Sequence, residues 1–223
     1  MREPVIQLDE VSFAYTSGRI VLDGASCALL RGERLGLQGA NGSGKTTLLQ
    51  LIVGLHKPAA GRITCFGTPR ATEKDFRDVR TRVGLLFQDS DDQLFCPTVQ
   101  EDVAFGPLNL GKTRAEAREL VRKTLELVTL SGYEERITYK LSGGEKRLVA
   151  LAAVLAMQPE VLLLDEPLTG LDEAHEERIT EILLSLPQSM IVVSHNAAFL
   201  SRITTRNVRL HQGRVNSAPN TAG

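Results

Sequence analysis

The stretch Arg34–Leu55, "RLGLQGANGSGKTTLLQLIVGL", decides the fold. A short apolar run meets a block of glycines and then an apolar helical pattern, the order strand, loop, helix. Within it "GANGSGKT", Gly39 to Thr46, fits G-x-x-x-x-G-K-T in the context that gives that spacing meaning. Gly39, Gly42 and Gly44, interleaved with Ala40, Asn41 and Ser43, let backbone N–H groups turn inward around a β-phosphate. The helix that follows offers its positive end to the same anion. Lys45 then supplies a point charge to the β- and γ-phosphates, and Thr46, followed by Thr47, offers Mg²⁺ a hard hydroxyl oxygen.

Working outward, "VLLLDEP" and "MIVVSH" are apolar runs that end in polar residues, as central parallel strands buried on both faces do. Their carboxyl ends are expected to open on one crevice. Asp165, at the end of the first run, is placed to hold Mg²⁺, and Glu166 to polarise the water that attacks the γ-phosphate. Strands recurring between helical patterns indicate an α/β chain with a mostly parallel sheet. Between them, Thr113 and Glu116 form a capping-box signature, followed by Ala117, Leu120, Val121, Leu125 and Val128 at helical spacing. Leu148, Leu151, Ala152 and Leu155 make a second stripe. A helical lobe at about 97–155 is therefore expected, inserted in an α/β core of about 1–96 and 156–223, all one domain. The tail "VNSAPNTAG" after Arg214 reads as frayed.

Composition narrows the function classes. The formal charge of -1 and the absence of a Lys/Arg block argue against nucleic acid as a partner. Three cysteines without C-x-x-C spacing suggest neither a disulfide framework nor structural zinc, and fit a reducing cytosol. No signal peptide is expected, and no window supplies the roughly 20 apolar residues of a membrane span, so any membrane role is expected to run through a partner.

A third motif, "LSGGE", Leu141 to Glu145, places Ser142, Gly143 and Gly144 at the start of a helix, a second anion-binding terminus in one chain. With it the chain resembles the ATP-binding cassette ATPases over nearly its whole length. The resemblance implies a P-loop NTPase core with an N-terminal antiparallel β region, and two ATP molecules held between the P-loop of one subunit and the signature of the other. It implies that Tyr15 stacks on adenine, that Gln88 reaches the metal and the attacking water, that Asp172 is the D-loop aspartate and that His195 contacts the γ-phosphate. Glu145 stands where glutamine is commoner, and Leu168 where a small polar residue is usual.

"FQDSDDQLF", Phe87–Phe95, is explained only in part by Gln88. Asp89, Asp91 and Asp92 admit a metal cage, a solvated loop or a partner surface, and their spacing is not that of a calcium loop. The segment through Gly111 resembles energy-coupling-factor ATPases, particularly those of cobalt and nickel uptake. That resemblance implies a short helix against a transmembrane coupling subunit, with Leu94 and Phe95 as anchors, Asp91 and Asp92 at the rim and Gln93 between them. It further implies a homodimer or paired ATPase, peripheral on the cytoplasmic face of the cell membrane, serving a substrate-binding membrane subunit only indirectly. Vitamin or biotin uptake and a soluble cassette ATPase remain alternatives; a P-loop small-molecule kinase is argued against by "LSGGE".

Overall fold

The computed structural model describes residues 3–217. In chain order the strands are β1 (Pro4–Ala14), β2 (Ile20–Leu30), β3 (Arg34–Gln38), β4 (Ala60–Cys65), β5 (Thr68–Arg70), β6 (Val83–Leu86), β7 (Val161–Asp165), β8 (Ser189–Val193), β9 (Arg206–His211) and β10 (Arg214–Ser217). The helices are α1 (Lys45–Ile52), α2 (Glu73–Arg82), α3 (Val99–Asn109), α4 (Arg114–Leu127), α5 (Gly143–Ala156), α6 (Glu173–Ser185) and α7 (Ala197–Ile203).

Two sheets form. The first is antiparallel, in the order β2-β1-β4-β5, and the second runs β10-β9-β3-β8-β7-β6, parallel except for the β10–β9 pair. This is the α/β P-loop NTPase architecture, with its antiparallel N-terminal region. The tail differs from expectation: Arg214–Ser217 pair with Val208–His211 as an edge strand, because alternating polar residues satisfy a ladder as well as apolar ones do. The remainder of "VNSAPNTAG", residues 218–223, lies outside the described residues.

Strand periodicity explains how one sheet serves two cores. Along β7 and β8, Leu162, Leu164, Met190 and Val192 enter the core shared with α3 to α7. Val161, Leu163, Ile191 and Val193 enter the other, shared with α1, α2 and the antiparallel sheet. Successive side chains point to opposite faces, so a strand covered on both sides must be apolar throughout. Because β3, β6, β7 and β8 run parallel, the residues that follow them emerge at one edge. That edge carries Gly39, Gln88, Glu166 and His195.

Helix starts follow the capping chemistry of the sequence. Thr72, Thr98, Thr113 and Ser142 each form a capping box with the acidic residue three positions on.

Candidate active site

The loop between β3 and α1 is shaped by glycines. Gly42 (φ +73°) and Gly44 (φ +105°) are left-handed, and a Cβ on Gly44 would lie 2.5 Å from Val21 Cγ1, so both backbone and space require glycine there. Lys45 is buried and donates to the carbonyls of Gly39 (2.9 Å) and Ala40 (3.1 Å), which holds its ammonium at the mouth of the loop. Ser43 Oγ is buried with no partner among the described residues. The Tyr15 hydroxyl lies 2.9 Å from Thr47 Oγ1, and its ring stands edge-on to Phe13 and His56 at centroid distances of 5.0 and 5.6 Å. Tyr15 thus forms a partly exposed aromatic wall beside the loop.

At the end of β7, Asp165 is almost fully enclosed. Burial raises its pKa, while the Thr46 hydroxyl, Lys45 and Arg147 pull it down. Its Oδ1 is buried without a partner among the described residues. An orphaned carboxylate oxygen beside a hydroxyl, with the Gln88 amide on the same cleft, is a donor set for a hard divalent cation, so Thr46, Asp165 and Gln88 fit Mg²⁺.

Glu166 follows in left-handed backbone, φ +46°. Its N–H donates to the Val193 carbonyl (2.9 Å), and its Oε2 accepts from His195 Nδ1 (2.9 Å). Oε1 has no hydrogen bond among the described residues. His195 is the exposed partner, with 71% of its side chain accessible against 9% for Glu166.

These groups converge on a cleft of about 540 Å³ lined by Tyr15, Asn41, Gly42, Gly44, Lys45, Thr46, Thr47, Gln88, Asp165, Glu166 and His195. Arg19, Val21 and Thr169 complete the lining, and Arg19 donates to the Gly42 carbonyl (2.9 Å). Sequence reading missed these three, which belong to no spaced motif. Ser142, Gly143, Gly144 and Asp172 are not part of that lining.

The signature has its own construction. Glu145 Oε2 accepts the Ser142 N–H (2.8 Å), its own N–H donates to Ser142 Oγ (3.3 Å), and Tyr133 donates its hydroxyl to Oε1 (2.8 Å). The Ser142 N–H first, then the Tyr133 hydroxyl, hold the Glu145 carboxyl below its ordinary range. Glu145 thus completes a capping box whose S-x-x-E spacing was legible in the sequence. His175 was not singled out, yet its Nδ1 lies 2.8 Å from Asp172 Oδ1 and its ring covers Gly144, where a Cβ would lie 2.4 Å from Cδ2. One imidazole therefore joins the D-loop to the signature.

The acidic stretch departs from expectation. It forms one turn, closed by the N–H groups of Gln93 and Leu94 on the Ser90 carbonyl (3.1 and 3.0 Å), rather than a short helix. The Asp102 carboxylate takes the N–H groups of Phe95 and Cys96 (3.0 and 2.9 Å), which pulls the chain out of helical geometry. Leu94 is not a surface anchor: at 9% exposure it is buried in the core that α3 to α7 share with β7 and β8. Asp91 is paired with Lys146 of α5 (2.6 Å), Asp89 caps the Asp91 N–H (2.9 Å), and Gln93 bridges the Phe87 N–H (3.2 Å) and the Ala150 carbonyl (3.4 Å). Phe95 stays 66% exposed, edge-on to the exposed Phe105 at 4.8 Å.

A glycine-lined phosphate loop, a buried carboxylate pair and a separate helix-capped signature define a P-loop ATPase of the cassette type. The family model described as ABC transporter matches residues 22–169. A putative ABC transporter ATP-binding protein of Brucella suis is 56% identical over 96% of this chain and 88% of its own length. The cobalt import ATP-binding protein CbiO of Rhodobacter capsulatus is 43% identical over 95% and 77%. An energy-coupling factor transporter ATP-binding protein of Methanothermobacter thermautotrophicus is 45% identical over 95% and 69%. Among solved structures, cbiO1 of Clostridium perfringens superposes with a TM-score of 0.86 at 33% identity, covering 96% of this chain and 87% of that one. A dimeric ATP-binding cassette bound to ADP and phosphate gives 0.86 at 25% identity, covering 96% and 99%. The chain belongs to the ABC transporter family, and it is an ATPase that resembles the energy-coupling-factor group.

Proposed function

We propose that this chain is the ATP-hydrolysing subunit of an energy-coupling-factor importer for cobalt or nickel ions, working as a head-to-tail dimer. The reading is carried by the division of the site: the cleft holds phosphate-loop and carboxylate groups, while Ser142 and Asp172 lie outside its lining. Ser142, Gly144 and Asp172, which line neither this cleft nor the adjoining one that Leu141 and Gly143 share with Thr46, Gln88 and Asp165, have use when a second copy supplies the nucleotide. The relative named for cobalt import supports the cargo class, and the one named for energy coupling supports the transporter group.

In this reading Lys45 exchanges its two loop carbonyls for phosphate oxygens, and Tyr15 stacks on the adenine. Glu166 accepts the proton of the attacking water through Oε1 while His195 keeps Oε2 engaged and fixes the carboxylate's rotamer. Gly143 and Gly144 of the facing copy, the first residues of α5, present their free N–H groups to the γ-phosphate. Mg²⁺, held by Thr46, Asp165 and Gln88, supplies charge neutralisation when bound. No helix among the described residues is long and apolar enough to cross a membrane. In this reading the chain acts on membrane subunits from the cytoplasmic face, as the relatives named as transporter ATP-binding proteins support. Phe95 and Phe105 are the apolar contacts we assign to the coupling subunit, with Asp92 at the rim.

The test is co-expression with the membrane subunits and measurement of cobalt and nickel uptake. ATP-dependent uptake abolished by Lys45→Ala is the expected result. Complex formation without metal-ion uptake, but with uptake of a vitamin, would move the chain to another cargo within the same group.

A further inference from the structure

We propose that Arg147 is a positioning residue for hydrolysis, its guanidinium holding the main chain of Glu166 in the conformation that aims the carboxylate into the cleft. This rests on Glu166 as the base.

Arg147 lies in α5 just beyond the signature, is only 2% exposed, and spends its guanidinium on main-chain carbonyls. Nε donates to Pro167 (2.9 Å), and Nη2 to Glu166 (2.6 Å) and Asp165 (3.2 Å). Nη1 donates to Phe87, the residue before Gln88. One buried side chain therefore ties the signature helix to the chain leaving β7 and to the chain leaving β6.

The consequence falls on Glu166. Left-handed backbone is unfavourable for a residue with a Cβ and persists only where the surroundings impose it. Here the N–H is held by Val193, and the carbonyl by Arg147 at 2.6 Å with the Thr169 N–H as a longer second donor at 3.2 Å, so the residue is gripped on both sides. Without Arg147 the carbonyl keeps only the longer Thr169 bond, and the main chain can shift the carboxylate away from the attacking water although His195 still holds Oε2. Burial brings Arg147 down to about 10, which leaves it cationic at neutral pH and able to engage all four carbonyls. A lysine keeps the charge but lacks the planar fork that spans Glu166 and Pro167 together.

The test compares Arg147→Lys and Arg147→Ala with Glu166→Gln in the full chain, reading Mg-ATP affinity by calorimetry and hydrolysis by phosphate release. Turnover is expected to fall about tenfold for lysine and about a hundredfold for alanine, the scale of ångström misplacement, with the Kd for Mg-ATP within about threefold of wild type. Arg147→Lys in a Glu166→Gln background should slow hydrolysis no further, since both changes act through one carboxylate. Low millimolar guanidinium, but not ammonium, should restore part of the alanine variant's activity. Should that variant fail to fold, the lysine variant and the double variant decide. Wild-type turnover in Arg147→Lys, additive losses in the double variant, or affinity and turnover falling in parallel would overturn the proposal. A fully active Glu166→Gln would instead overturn the base assignment.

Discussion

His195 Nδ1 lies 2.9 Å from Glu166 Oε2, joining the end of β8 to the end of β7 across the cleft. An ionised carboxylate accepts only, so the ring nitrogen facing it carries the proton. That directs Nε2 away from Glu166, and it leaves Oε1 as the oxygen open to water. Glu166→Gln should bind Mg-ATP as the wild type does and lose about a hundredfold or more in turnover, because an amide cannot take the proton. His195→Ala should lose turnover less completely, since it frees the rotamer without removing the base. Single-turnover hydrolysis with both variants checks the order.

Asp165 should trade stability for function. Its pKa is raised above the ordinary 3.8 by burial, so the folded state holds its proton more tightly than the unfolded chain. Stability is therefore lost as pH rises from the ordinary value through the raised one, and the penalty persists at neutral pH. Asp165→Asn should melt higher than wild type near pH 7, by about 2–4 °C for each kcal/mol relieved, while losing hydrolysis. The advantage should vanish below the ordinary carboxylate range, where both states are protonated. Melting curves across pH, without nucleotide, test the sign.

His175 should matter to closure and not to nucleotide capture. Its ring spans Asp172 and Gly144 and does not line the nucleotide cleft. His175→Ala should leave the Mg-ATP affinity of the monomer unchanged and weaken ATP-driven dimerisation of a Glu166→Gln background by about tenfold, the size of a lost positioning contact. Sedimentation at graded ATP concentrations gives that number directly. Unchanged dimerisation would reduce His175 to local packing.

Leu94 and Phe95 should behave oppositely although adjacent. Leu94→Ala empties a place in the core shared by α3 to α7 and the parallel sheet, and should destabilise the fold by about 2–5 kcal/mol. Phe95→Ala with Phe105→Ala should leave melting and basal ATPase close to wild type, and cost about 2–4 kcal/mol in binding the membrane coupling subunit. Denaturant unfolding and co-purification separate the two effects.

Much of this chain could be read without coordinates, wherever the chemistry is local. The loop from Gly39 to Thr46 is contiguous, and its glycines, lysine and threonines state their roles by spacing alone. The buried strands ending at Asp165 and before His195 were legible because a parallel strand covered on both faces must be apolar, and its first polar residue marks the sheet edge. Tertiary structure decided what lies between elements distant in sequence. No periodicity says that Arg147 reaches the carbonyls of Phe87 and Glu166, or that His175 covers Gly144. Leu94 and Phe95 look alike in sequence, yet Asp102, which caps the chain at Phe95, turns one side chain into the core and leaves the other in solvent. The difference has one physical cause. Backbone geometry and burial period are set within a few residues, whereas a buried donor or acceptor must find its partner wherever packing of the whole chain brings one within reach.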